Sequence, residues 1–175
     1  ATTSVSAPAT LEFGLEATTS SQVSILQVPP PASDGSQKMT LLGQVAGLGK
    51  EDEHIHSVRF QRDRAFVSTY VYTDPFYALD LKDPTNPMEV GQLEFEGFTN
   101  YLHPIGKDLI LGIGQHTVDQ QELGFMVSLF DVSDLSQPVM LHSYIEFVTD
   151  QQWVYSEARH DHRALRFFDG KNILV

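Results

Sequence analysis

The chain has 175 residues, 41% apolar and 19% charged, the proportions of an ordinary globular domain or a piece of one. It carries 23 acidic against 11 basic residues, a formal net charge of −12, and its few cations are scattered. That balance repels a phosphate backbone and excludes nucleic acid as the partner. There is no cysteine, which excludes disulfides, thiolate metal centres and cysteine nucleophiles. No apolar run approaches the ~20 residues of a transmembrane segment, and no basic–apolar–small signal pattern opens the chain.

Ala1, Thr2 and Thr3 are followed by Ser4–Ser21, rich in Ser, Thr and Ala, which reads as a loop. Gln22–Val28 reads as a strand, ended by Pro29, Pro30 and Pro31, which cannot donate to a ladder. Ala32–Gln37 is a turn, Met39–Val45 a further strand and Gly47–Glu53 a polar loop. Beyond it the β signal strengthens: Ile55–Phe60, Arg64–Tyr72, Phe76–Leu81 and Met88–Phe95 are short apolar runs separated by Gly, Pro and Asp turns. Thr99–Phe147 repeats the plan with Tyr101–His103, Asp108–Gly114, Phe125–Val132 and Met140–Phe147, interrupted by a polar excursion at Gln115–Glu122. No stretch shows capped helical periodicity, so the chain is expected to be all-β.

The repeat is visible in the residues. Tyr77–Pro87 aligns with Ser128–Pro138, matching Asp80 to Asp131, Leu81 to Val132, Asp83 to Asp134 and Pro87 to Pro138. Upstream, Asp63–Val67 aligns with Lys107–Leu111 and again with His162–Arg166, as copies of a turn entering an apolar strand. Four strands per period of roughly 40–50 residues is the pattern of β-propeller blades. Asp83 and Asp134 are placed to bond backbone amides ahead of them and pin the turn. The prolines stand where an outer strand starts and needs no donor. These four residues are read as turn chemistry, with no further role.

The runs Ile55–Phe60, Asp63–Phe66, Thr73–Phe76, Leu79–Pro84, Gly97–Phe98, Tyr101–Pro104, Gly112–Gly114, Leu129–Asp134 and Tyr155–Ala158, in this order, resemble a family of secreted bacterial and archaeal proteins. These carry a C-terminal β-propeller distantly related to WD-type repeats. The resemblance implies a secreted or surface-anchored protein and supplies no catalytic residues. Arg159 and His160 depart from it, standing where that family usually has apolar or aromatic residues. The expected organisation is an incomplete propeller: a partial blade with a long loop at 1–54, blades at 55–98 and 99–148, and a second partial blade at 149–175. A fragment cut inside its blades is expected to self-associate through uncovered edges.

Candidate chemistry centres on histidine. His54 with His56, and His160 with His162, have the spacing that puts two rings on one side of a strand, half of a divalent-metal site. Glu157 or Asp161 would supply a third ligand. The alternative is structural histidine. Second, the repeat puts Arg59 and His103 at equivalent inner-strand places, with Glu157 near the same level in the next blade. They form a candidate channel ring for an anion, a metal or acid–base chemistry, or else a network joining blades. Third, Glu51, Asp52 and Glu53 lack the spacing of a calcium loop and read as a solvated charge run. No nucleophile elbow or phosphate loop is present. The reading is therefore a non-enzymatic, secreted or cell-surface scaffold binding a protein, glycan or surface polymer without an obligate cofactor. The alternative is a metal-dependent enzyme with histidines at the channel mouth.

Overall fold

The β-rich runs pair with their neighbours in sequence, because short Asp, Gly and Pro turns bring successive strands back antiparallel. The computed structural model describes residues 2–6, 20–30, 33, 35, 37–50, 53–70, 74–119, 121–149 and 154–175. The first sheet holds β1 (Thr2–Ser6), β2 (Ser20–Gln27) and β3 (Thr40–Leu48). The second holds β4 (His54–Gln61), β5 (Arg64–Tyr70), β6 (Asp74–Asp80) and β7 (Met88–Phe95). The third holds β8 (Phe98–Ile105), β9 (Leu109–Val118), β10 (Gln121–Asp131) and β11 (Val139–Phe147). A ribbon of β12 (Phe167–Phe168) and β13 (Ile173–Leu174) closes the series. The all-β reading holds, with two four-stranded sheets between two smaller ones.

The sheets stack face to face, and the period-2 alternation of the middle strands supplies apolar groups to both sides. On β5 and β6, Phe66, Phe76 and Ala78 pack toward the third sheet, while Ala65, Val67, Tyr77 and Leu79 pack toward Val23, Val45 and Leu48 of the first. Between the second and third sheets the rings of Phe66 and Phe76 stack at 5.5 Å, Phe76 and Phe130 at 4.7 Å, and Phe95 tilts against Phe130. Phe66, Phe76 and Phe130 are fully buried, and each contributes about 1.5–3 kcal/mol by burial. Ile113 of the third sheet packs on Ala158 and Leu165.

The repeated turn forms as its residues require. Asp83 Oδ1 accepts from the Thr85 amide at 2.9 Å and the Thr85 hydroxyl at 2.7 Å. Asp134 Oδ1 does the same with Ser136, at 2.9 and 2.7 Å. These bonds, the hydroxyl first and the amide second, hold both carboxyls below the ordinary carboxylate range. The turn also has a role beyond its own geometry: it seats on the preceding sheet. A Cβ on Gly43 of β3 would lie 2.5 Å from Pro87 Cδ and 2.6 Å from the Pro84 carbonyl oxygen. A Cβ on Gly91 of β7 would overlap the Leu135 carbonyl oxygen and lie 2.9 Å from Pro138 Cδ. β3 and β7 thus each carry a glycine notch for the next sheet's turn.

Several expectations need correction. The start of the Ser4–Ser21 loop belongs to β1, and residues 7–19 lie outside the described residues, as do Pro31, Ala32, Asp34, Ser36 and 71–73. The polar excursion is a hairpin, since β9 and β10 run through it and turn at Asp119, which has a φ of 48°. Its polar residues were misleading because the ladder needs only their backbones; Gln115 and Thr117 are buried all the same. The upstream alignment slips by one residue. Arg64 pairs with Asp80 and Leu109 with Asp131, so Arg64 corresponds to Leu109. The cause is a longer hairpin, since Gln61 pairs with Arg64 but Ile105 with Leu109. His162–Arg166 leads into the short strand β12, but through 3-10 geometry and not a hairpin turn: 3-10 turns span Glu157–Arg159 and His162–Ala164, capped by Ser156 and Asp161.

Gly91→Ala is expected to lower stability by about 1–3 kcal/mol, because backbone must move to admit the methyl group. Gly170, with open space around its Cα, is the control, and Gly170→Ala should stay within about 0.5 kcal/mol. Urea midpoints at constant slope measure both. The depressed Asp83 and Asp134 values make their stabilisation present above the ordinary carboxylate pKa of about 4 and lost as pH falls toward the folded values. Asp83→Asn with Asp134→Asn should flatten that acid limb of the stability profile.

Candidate functional site

The inner strands β4 and β8 lie side by side, joined by a 3.0 Å bond between the Ser57 and Thr99 hydroxyls. Arg59 pairs with Phe66 and His103 with Leu111, each the third rung from its hairpin. In the terminal ribbon the third rung is Arg166, whose amide donates to the Val175 carbonyl at 2.8 Å and whose carbonyl accepts from Val175 at 2.9 Å. Counted from their hairpins, Arg59, His103 and Arg166 thus occupy the same rung of three strands. Glu157, expected there, instead opens the first 3-10 turn and is exposed. Sequence reasoning missed Arg166, although the Arg-Phe pair at 59–60 recurs at 166–167 ahead of a turn.

A recess of about 250 Å³ lies between these strands and the 3-10 turns, lined by Arg59, Asn100, Tyr101, Ala158, Arg159, His160 and His162. It gathers three of the expected residues, Arg59, His160 and His162, and leaves out His103 and Glu157. Ala158 buries itself against Ile113 and so carries Arg159 and His160 to the rim. Arg159 Nε donates to Asn100 Oδ1 at 2.9 Å. Tyr101 shares a 3.0 Å hydrogen bond with His103 Nδ1, and its ring faces His162 at 6.5 Å. Arg59 Nε is buried, with no hydrogen-bond partner among the described residues.

Arg64 shows the contrast. Unlike the half-buried Arg59 it is buried, and each of its guanidinium nitrogens donates: to Gln61 Oε1 at 3.0 Å, to the Val132 carbonyl at 3.3 Å and to the Lys107 carbonyl. It pins two hairpins together. The larger groove beside it, about 1400 Å³, is walled by the same turn residues, Arg64, Asp80, Lys82 and Asp134 among them. Asp80, Lys82 and Asp134 there already bond within the protein, whereas the smaller recess gathers three of the residues expected from the sequence and is the candidate site.

The histidine pairs do not sit as expected. His160 and His162 lie on 3-10 turns rather than on a strand, so strand alternation does not align their rings. His160 stacks on Tyr155, and Asp161, a suggested third ligand, is bidentate to Arg163 and caps a turn. His56 lies in the register shift between Ile55 and Ser57, which breaks the alternation with His54, and packs against the rings of Tyr70 and Phe98. Among the described residues no three His, Cys, Asp or Glu side chains are grouped so as to hold a metal ion. Glu51 and Asp52 lie outside the described residues. Glu53 is not solvated: it is buried and accepts from the Thr69 hydroxyl at 2.7 Å and the Lys50 amide at 2.9 Å.

Consecutive antiparallel sheets stacked in series, with polar groups of successive inner strands held at one level, define a propeller-type protein. The chain belongs to the beta propeller domain family, whose model matches residues 1–175. It is 40% identical over 128 residues to an uncharacterized protein of Archaeoglobus fulgidus, covering 73% of this chain and 19% of that protein. It is 42% identical over 106 residues to an uncharacterized protein of Methanocaldococcus jannaschii, covering 61% of this chain and 16% of that one. The matched stretches therefore span less than a fifth of these relatives' length. No solved structure matches the chain significantly. Among the described residues no helix is long and apolar enough to cross a membrane.

Burial first, and then the charge of Arg59, hold the His103 pKa below its ordinary value, with Asp169 opposing. A histidine depressed in the fold stays neutral while the unfolded chain protonates, so this group withdraws stability as pH falls below about 6.5. Arg59→Met should raise the His103 pKa while leaving it short of the ordinary value, because burial remains. Ring-proton NMR titration measures the shift.

Proposed function

We propose that this propeller is a non-enzymatic binding scaffold of a secreted or cell-surface protein, and that the recess beside β4 and β8 receives its ligand, a protein, glycan or surface polymer. The observation that carries this reading is Arg59, which lines the recess with no ion-pair or hydrogen-bond partner among the described residues. An unpaired guanidinium at a recess wall is free to form charge-assisted hydrogen bonds with a ligand. Secretion rests on the resemblance to secreted propellers. The metal-dependent alternative depends on His160 and His162, and elemental analysis of the intact protein tests it.

A screen of immobilised glycans, surface polymers and proteins should find a partner. His162→Trp, which fills the recess from an exposed position, should weaken that binding at least about tenfold, or 1.4 kcal/mol. Undiminished binding by the variant would place the ligand elsewhere. Turnover of the partner, or stoichiometric metal required for it, would overturn the scaffold reading.

A further inference from the structure

Charge is distributed unevenly in this acidic chain. The ion pairs Lys50–Glu94, Lys82–Asp80 and Arg163–Asp161 involve other cations. Neither Arg59 nor Arg159 has a carboxylate partner among the described residues, and no Asp or Glu lines the recess they share. Only three of the 11 basic residues form ion pairs among the described residues, so what distinguishes Arg59 and Arg159 is that both line one recess with no Asp or Glu among its described lining residues. The Asn100 carbonyl oxygen orients Arg159 through Nε. The other Arg159 donors and the Arg59 guanidinium have no protein acceptor among the described residues.

Guanidiniums present planar forks that match the oxygens of carboxylates and phosphates, and such charge-assisted pairs are about twice as strong as neutral ones. His160, His162 and Tyr101 complete the walls with further polar groups. At about 250 Å³ the recess admits one sugar-sized group and not a buried polymer. We infer that the recess binds a single oxyanion group, a carboxylate or a phosphate, between Arg59 and Arg159. This rests on the recess being the ligand site.

The test is calorimetric titration of the intact protein at low salt with glucuronate, with inorganic phosphate, and with glucose as the neutral counterpart. At least one anion should bind and glucose should not. Binding of glucuronate alone assigns an acidic sugar or organic acid, and binding of phosphate alone assigns a phosphoryl group. Arg59→Met, which keeps length and removes charge, should weaken the anion at least about tenfold, with the far-UV spectrum unchanged. Arg159→Met, at a surface turn, provides the same reading should the first variant unfold. His103 ring signals should move to higher pKa as the anion offsets the Arg59 charge. No anion binding, glucose binding as tight as glucuronate, or anion binding indifferent to both arginine variants overturns the inference. A neutral partner blocked by His162→Trp but unaffected by Arg59→Met would overturn the oxyanion and leave the scaffold standing.

Discussion

The structure depends on burying each middle strand from both faces. Phe66, Phe76 and Phe130 form a ring stack between two sheets, while Ala65, Val67, Tyr77 and Leu79 fill the opposite face of the same strands. A sheet buried on one face could stand with a solvated back. Here neither face is polar, so each four-stranded sheet is stable only between neighbours, as in other repeat architectures. That dependence explains the apolar middle strands and the tolerance of polar residues on the outer ones, where β7 and β11 alternate toward water.

The stacking also decides where chemistry is possible. Middle strands are committed to packing and turns to hydrogen bonds among themselves. Inner strands and the connections reaching them are freer. Two arginines illustrate the division. Arg64 is buried, engages carbonyl and amide oxygens through each guanidinium nitrogen and joins sheets, whereas Arg59, five residues earlier, is half-buried and lines a recess with no acceptor among the described residues. The same residue type serves cohesion on one strand and is open to a partner on the next. Neighbouring acceptors make the difference, and these belong to another repeat.

Much of the architecture was legible in the residues. Turn chemistry is local, so Asp83 and Asp134 could be assigned from their own neighbours, and the strand runs followed from alternation. Two kinds of information were not local. Glycines at 43 and 91 look like ordinary strand interruptions until the next sheet's prolines are placed against them. The level of a residue in the channel depends on counting rungs from a hairpin, and hairpins of different length defeat an alignment by sequence offset. Arg59 and His103 survived that error, but Glu157 did not, because the segment before the terminal ribbon turns twice in 3-10 geometry and leaves Arg166 at the level. Arg159 was visible as an unusual residue, though its meaning required Asn100 and the recess.

The glycine notches give the molecule a direction. Each notch lies on the last strand of its sheet, and the turn it accepts belongs to the sheet that follows in the chain. During synthesis the receiving surface is therefore complete before its occupant emerges, and domains and repeats commonly fold in that N-to-C order. Growth is vectorial, with the first sheet and then the second acting as the template that orients its successor. The orientation is fixed by backbone contact, which side-chain drift among the repeats cannot easily erase.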